Sequence, residues 1–118
     1  MRLSKRLMLE LNRAVLKQRV EEHELHQLFW ECTLRCNLNC RHCGSDCRML
    51  SEQNDMPLGD FLKVLDEIKT HEDPSKVMVI TTGGEPMMRR DLTECGAEIS
   101  KRGFIWVFEL FFLEFKYP

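Results

Sequence analysis

Apolar residues recur at helical intervals in the first part of the chain. Leu3, Leu7 and Leu11 follow one another in steps of four, and Val15 continues the series with basic side chains in between. This pattern predicts an amphipathic helix over Met1–Glu24, within an N-terminal segment of residues 1–26. Acidic residues dilute the basic bias, so we interpret the polar side of the helix as a solvated face.

Farther along, short apolar runs alternate with helical patterns. Three strands are predicted at residues 27–33, 77–80 and 104–108, where aromatic and β-branched residues are concentrated. One helix begins near Pro57, and another covers residues 91–102 and ends at Gly103 as its C-cap. The order predicts an α/β fold with about three parallel strands joined by two right-handed crossover helices.

Alternation along the first strand separates its side chains onto two faces. Leu28, Trp30 and Cys32 share one face, and Phe29, Glu31 and Thr33 share the other. Cys32 is therefore expected to be a packed thiol rather than a metal ligand. Cys95 is expected to be a second core thiol, on the predicted helix 91–102.

Composition narrows the classes of protein. A chain of 118 residues forms one small domain, and 43% apolar with 31% charged residues is ordinary for a globular protein. A net charge of -2 gives no reason to expect a nucleic acid or a membrane as partner. No apolar run is long enough for a signal core or a membrane span, so we expect a cytoplasmic protein.

The cysteines carry the clearest chemical signal. Five of the six fall between Cys32 and Cys47, and only Cys36, Cys40 and Cys43 are separated by three residues and then two. Thiolates this close on a flexible loop can hold one cubane iron–sulfur cluster. Three ligands leave one iron open, and an open metal position can chelate a substrate. The spacing therefore predicts a cluster at which chemistry occurs.

Two other uses of these cysteines are less consistent with the sequence. Zinc could be bound by four thiols of the set, but common zinc patterns separate two ligand pairs by a longer insert. A disulfide framework would suit a secreted protein, and nothing at the N-terminus resembles a secretory signal.

A second motif, Gly83-Gly84-Glu85-Pro86, follows the second predicted strand. Paired glycines allow the backbone to approach a ligand closely, and Glu85 adds a carboxylate. Alone, such a turn often only connects a strand to a helix. However, ligands of parallel α/β sheets gather at the carboxyl ends of the strands, where both motifs are predicted to lie.

The two motifs resemble the signature of the radical S-adenosylmethionine (SAM) enzymes. In that family three cysteines bind a [4Fe-4S] cluster, and the amino and carboxylate groups of SAM occupy the remaining iron. The resemblance assigns Cys36, Cys40 and Cys43 to the cluster, Gly83, Gly84, Glu85 and Pro86 to SAM, and His42 to the neighbourhood of the adenine. It implies the N-terminal portion of a partial (β/α) TIM-like barrel, with a radical SAM core over residues 27–103.

The same resemblance implies an activity and partners. Reductive cleavage of SAM would give a 5′-deoxyadenosyl radical, with an electron from a one-electron reductant of the flavodoxin or ferredoxin type. The wording of the motifs, together with Glu31 and Thr33 before the cysteines, is similar to enzymes that modify peptides or proteins. A peptide or protein substrate is therefore the expectation.

The end of the chain departs from the family pattern. Residues 104–118 contain seven of the ten aromatic residues, and the later strands of the family's barrel are missing. This predicts a truncated enzyme with little turnover and an unpaired third strand that promotes self-association. The apolar surface expected there consists of Phe104, Trp106, Phe108, Phe111, Phe112 and Phe115.

Two rival functions remain open on the sequence alone. A small iron–sulfur electron carrier would need a fourth cysteine, such as Cys47, to close the cluster. An inactive truncated chain would bind nothing.

Overall fold

The computed structural model describes residues 3–38, 40, 43, 44, 47 and 52–108. These residues form three α-helices: α1 (Leu3–Glu22), α2 (Leu58–Ile68) and α3 (Leu92–Lys101). They also form three strands: β1 (Gln27–Thr33), β2 (Met78–Gly83) and β3 (Ile105–Phe108). Short 3-10 turns at Pro74–Lys76 and Pro86–Met88 flank β2.

The three strands form one parallel sheet in the order β1-β2-β3. Leu28, Val79 and Trp106 lie in register across it. The predicted α/β class, with three parallel strands and a helix after each of the first two, is thereby confirmed. The register shifts between Glu31 and Thr33, so β1 is irregular just before the cysteine segment.

Helices α2 and α3 pack on one face of the sheet. Leu65, Val79 and Ile99 are completely buried between these elements. The Trp30 ring stacks on Phe61 with centroids 3.8 Å apart and ties β1 to α2. The predicted faces of β1 are borne out on this side, because Trp30 and Cys32 are buried and Leu28 packs against the same core.

The predicted element boundaries hold with small differences. Strand β2 begins at Met78 and continues through Thr81, Thr82 and Gly83, beyond the predicted end at residue 80, because these residues remain paired with β1. Pro57 is the N-cap of α2 and its carbonyl accepts the first helical hydrogen bonds. The C-cap of α3 is Arg102 rather than the predicted Gly103. Gly103 is the next residue, and its φ of 91° suits glycine.

The third strand differs from expectation in which side chains it exposes. Phe104 was expected on an exposed apolar surface, but it is buried in the core just before β3. Ile105 and Val107 are the exposed apolar residues of this strand. Phe111, Phe112 and Phe115 lie outside the described residues.

Candidate functional site

Cys36 lies directly beyond the carboxyl end of β1. The Thr33 hydroxyl accepts a hydrogen bond from the Arg35 amide at 3.2 Å, which shapes the exit from the strand. The half-buried Cys36 sulfur accepts a hydrogen bond from the Leu38 amide at 3.4 Å. The same thiol donates to the Leu38 carbonyl at 3.7 Å, so both polar backbone groups of Leu38 contact this sulfur.

The other predicted ligands follow in the same segment. Cys40 is half-buried and Cys43 is exposed, and the Cys43 amide donates to the Cys40 carbonyl at 3.3 Å. Among the described residues, no three His, Cys, Asp or Glu side chains lie close enough together to hold a metal ion. The described geometry thus places the thiols in one segment without bringing them to ligand distance, and His42 lies outside the described residues.

The Gly-Gly-Glu-Pro turn is joined to the cysteine segment through the backbone. The Gly84 amide donates to the Thr33 carbonyl at 2.9 Å, and the Glu85 amide donates to the Arg35 carbonyl at 2.9 Å. The end of β2 is therefore held against the residues immediately before Cys36.

The glycine pair is needed for this contact. Gly83 has a φ of 132°, and a Cβ on Gly84 would lie 2.3 Å from the Arg35 oxygen and 3.0 Å from the Cys36 Cβ. The sequence led us to expect close approach to a ligand. In the structure the close approach of the glycines is to the cysteine segment itself.

Glu85 and Pro86 are both buried. The Glu85 Oε1 atom accepts a hydrogen bond from the Met87 amide at 3.1 Å and caps the 3-10 turn Pro86–Met88. One oxygen of the predicted SAM-binding carboxylate thus has a structural partner within the chain.

An ion pair closes the stem of the cysteine segment. The Arg35 guanidinium pairs with the Asp55 carboxylate, and both side chains are half-buried. Arg35 precedes the first predicted ligand and Asp55 precedes α2, so the pair links the entry and exit of the segment. Sequence analysis missed it, because nothing local connects two charges twenty residues apart.

A second missed residue is Arg89, which links the region after the turn to β1. Its side chain is 3% exposed; Nη1 donates to the Cys32 carbonyl at 2.8 Å, and Nε and Nη2 donate to Asp91 at 2.7 and 3.1 Å. The guanidinium also lies 4.9 Å from the centroid of a Trp30 ring. The Arg89-x-Asp91 spacing was visible in the sequence, but the carbonyl that Arg89 reaches was not.

The remaining buried thiols behave as core residues, as predicted. Cys32 and Cys95 are 1% and 0% exposed. Burial raises the pKa of Cys32 to about 11, against a smaller opposing effect of the Arg89 charge. Burial also raises the pKa of Cys95, which Arg89 partly offsets. All six cysteines lie among the described residues, and none forms a disulfide.

The residues present fit a [4Fe-4S] cluster in their chemistry. Sulfur donors are the ligands that hold such clusters, and the segment carrying them is packed against the glycine turn. A Cβ at Gly84 would collide with the Arg35 carbonyl oxygen, so this close packing requires glycine at that position.

Comparisons with known proteins point to the same chemistry. The Radical SAM superfamily model matches residues 30–113, well over half of the chain. No solved structure matches the chain significantly. No helix among the described residues is both long and apolar enough to cross a membrane.

The relatives have longer chains. The Fe-coproporphyrin III synthase of Methanosarcina barkeri is 31% identical over 74 residues, 63% of this chain and 18% of that protein. An AdoMet-dependent heme synthase of Nitratidesulfovibrio vulgaris is 34% identical over 74 residues, which are 63% of this chain and 19% of that protein. A tungsten-containing aldehyde ferredoxin oxidoreductase cofactor-modifying protein of Pyrococcus furiosus is 36% identical over 78 residues, which are 65% of this chain and 21% of that protein. The matched segment thus spans about a fifth of these relatives, whose superfamily uses a [4Fe-4S] cluster and SAM. With its cysteine segment, glycine turn and parallel sheet, this chain belongs to the Radical SAM superfamily.

Proposed function

We propose that this chain provides the cluster-binding and SAM-binding part of a radical SAM enzyme. Cys36, Cys40 and Cys43 would hold the cluster, and Gly83–Pro86 would help hold the SAM amino group. When bound, the cluster supplies one electron that cleaves SAM to methionine and a 5′-deoxyadenosyl radical able to abstract hydrogen. A one-electron reductant is the corresponding partner.

The observation that carries this proposal is the direct attachment of the two motifs. The Gly84 and Glu85 amides donate to the carbonyls of Thr33 and Arg35, one to three residues before Cys36. A ligand bound by the turn would therefore lie beside the first cluster ligand. This arrangement supports binding of both groups at one carboxyl edge of the sheet.

The surrounding side chains would hold this edge in shape. Arg35 and Asp55 tie the two ends of the cysteine segment, and Arg89 fixes β1 to the residues after the turn. Glu85 uses one oxygen to cap the 3-10 turn, which fixes the position of the carboxylate that would accept a hydrogen bond from the SAM ammonium group. The chain's own contribution is thus to bind and orient.

For the substrate, we propose a tetrapyrrole or a comparable cofactor precursor. The names of the three relatives refer to synthesis of heme-type compounds or to modification of a cofactor. The motif wording alone had favoured a peptide or protein. The relatives weigh against a peptide or protein substrate. We keep that class as the alternative that the substrate experiment below tests.

Metal analysis tests the cluster. We expect anaerobically reconstituted protein to hold about four iron and four sulfide per chain. Separate replacement of Cys36, Cys40 and Cys43 by Ala should remove most of the iron. Cys47→Ala is the matched control and should retain it; a requirement for Cys47 would favour the electron carrier. Stoichiometric zinc without iron would contradict both.

Spectroscopy tests the SAM site and the substrate. Adding SAM should change the electron paramagnetic resonance spectrum of the reduced cluster, and Glu85→Gln should weaken that change. An unchanged spectrum at saturating SAM would refute the proposal for this chain. Release of 5′-deoxyadenosine should rise with iron coproporphyrin more than with a pool of synthetic peptides, and the reverse order would restore the peptide hypothesis.

A further inference from the structure

Arg35 is bound to the end of β1, to the glycine turn and to the residues before α2. Its amide donates to the Thr33 hydroxyl at 3.2 Å, and its carbonyl accepts from the Glu85 amide at 2.9 Å. Its guanidinium pairs with the Asp55 carboxylate. Cys36 is the next residue, so the position of Arg35 determines where the first predicted cluster ligand lies.

The ion pair joins two parts of the chain that the apolar core already holds together. Asp55 lies two residues before Pro57, the N-cap of α2. Helix α2 is fixed to β1 by the Phe61 ring, which stacks on Trp30 with centroids 3.8 Å apart. The backbones on either side of the pair are therefore ordered by other contacts, and less entropy is lost on pairing than for two charges on a mobile surface.

The surroundings of the pair strengthen the attraction between its charges. The side chains of Arg35 and Asp55 are 30% and 19% exposed, whereas those of the surface pair Lys63 and Asp60 are 79% and 56% exposed. Water and salt screen half-buried charges less than exposed ones. Burial raises the pKa of Cys32 to about 11, and the negative charge of Asp55 adds a small part of this rise, so the carboxylate lies near the buried end of β1.

The two members of the pair enclose the segment that carries the predicted ligands. Residues 36–54 lie between them in the sequence and include Cys36, Cys40 and Cys43. Joining the two ends of a segment reduces the number of conformations open to it. Less conformational entropy is then lost when the three thiols gather around one metal centre.

We propose that Arg35 is a positioning residue for the cluster: by pairing with Asp55, it holds Cys36 at the carboxyl edge of the sheet before a cluster binds. The inference rests on the proposed function, because that function assigns Cys36 to a cluster. It adds a role for the ion pair in placing a ligand, separate from any role in the stability of the fold. Residues that orient metal ligands without touching the metal typically change metal affinity by about 10- to 100-fold.

Iron release tests the positioning role. Reconstituted protein is mixed with an iron chelator under anaerobic conditions, and the loss of cluster absorbance gives the release rate. We expect release to be about tenfold faster in Arg35→Met and in Asp55→Asn, and Arg35→Lys, which keeps the charge, should recover much of the difference. The double variant Arg35→Met with Asp55→Asn should be no faster than either single variant, because both changes remove one interaction. A wild-type rate in Arg35→Met, or increases that multiply in the double variant, would overturn the proposal.

A second half-buried arginine provides the matched control. Arg102 is 20% exposed and pairs with Asp66 at 2.9 Å and with Glu98 at 2.7 Å, near the C-terminal ends of α2 and α3. Arg102→Met removes a comparable ion pair that encloses no predicted ligand, so iron release should keep the wild-type rate. An equal acceleration in Arg102→Met and Arg35→Met would assign the effect to overall stability and overturn the positioning role.

Amide hydrogen exchange in the cluster-free chain tests the same contact without a cluster. The Glu85 amide donates to the Arg35 carbonyl, so in Arg35→Met it should exchange about tenfold faster than in wild type. The Ile105 amide, which donates to the Val77 carbonyl at 3.1 Å, is the reference and should keep its rate. Unchanged exchange at Glu85 together with normal iron uptake by the wild type would overturn the positioning role alone. A wild-type chain that takes up no iron would overturn the proposed function and the positioning role with it.

Discussion

The two faces of the sheet use alternate residues of the same strands but have different surroundings. On the helix-covered face, Trp30, Cys32 and Val79 are at most 5% exposed beneath α2 and α3. On the opposite face, Phe29, Ile105 and Val107 are 58%, 47% and 38% exposed. We call them the covered face and the open face. The open face also carries the polar residues Gln27, Glu31 and Thr82, so the two faces differ both in residue type and in what packs on them.

This difference separates stability from function within one sheet. Parallel sheets are normally covered on both faces, and their strands are apolar on both sides. Here the covered face holds the core, while the cysteine segment and the glycine turn lie at the carboxyl edge where the two faces meet. Changes on the covered face should therefore unfold the chain, whereas changes on the open face should leave it folded.

The largest expected effect is a cavity on the covered face. Replacing Ile99 or Leu65, both fully buried, with Ala should lower the free energy of unfolding by about 2 to 5 kcal/mol. The matched change Val107→Ala on the open face should cost less than about 1 kcal/mol. Urea unfolding followed by circular dichroism measures both. Equal losses would contradict the distinction between the faces.

Loss of the Arg89 contacts should have the next largest effect. Arg89→Met would leave the Cys32 carbonyl and the Asp91 carboxylate without their donor, which we expect to cost on the order of 2 to 4 kcal/mol. The exposed neighbour provides the control, because Arg90→Met should change stability by no more than about 0.5 kcal/mol. If the two variants unfold at the same urea concentration, Arg89 does not hold β1 to the turn.

A methyl group at the edge of the sheet should have a smaller effect on stability. Gly84→Ala introduces a Cβ that collides with the Arg35 carbonyl, so the turn must move at a cost of about 1 to 3 kcal/mol. Iron retention should fall with it if the turn supports the cysteine segment. Gly59→Ala, where a Cβ would meet nothing, should instead stabilise α2 by up to about 1 kcal/mol. Full iron retention in Gly84→Ala would show that the glycine turn does not support the cysteine segment.

The smallest expected effect is the pH dependence of the unfolding free energy that results from burial of Cys32 on the covered face. Burial raises the pKa of Cys32 from an ordinary 9.0 to about 11, so the folded chain keeps a proton that the unfolded chain loses. This contribution to stability is complete below pH 9 and decreases as the pH rises through about 11. Unfolding free energies measured across this interval should fall less steeply in Cys32→Ala than in wild type.

Local patterns in the sequence predicted much of the fold. Strand β1 was predicted at residues 27–33, where the structure has it, because alternation and aromatic content are properties of neighbouring residues. Glycine after α3 and proline before α2 identified the helix ends for the same reason. The boundary of β2 was less accurate, since pairing with β1 extended the strand through Gly83.

The contacts that organise the candidate site could not be found in this way. Arg89 donates to a carbonyl fifty-seven residues earlier, and Arg35 pairs with a carboxylate twenty residues later. Phe104 was expected to be exposed and is buried, because its position relative to α3 depends on how the helix returns to the sheet.

The sequence by itself determined the element order and the family, because spacing and periodicity act over a few residues. The assignment of Cys36, Cys40 and Cys43 to a cluster stays a prediction from that spacing. Only the tertiary structure decided that Gly84 packs on Arg35 and Cys36, and that one face of the sheet is covered while α1 is exposed along its whole length. These features depend on which distant segments meet. The packing of the whole chain decides which segments meet, and a local sequence pattern does not report the energy of that packing.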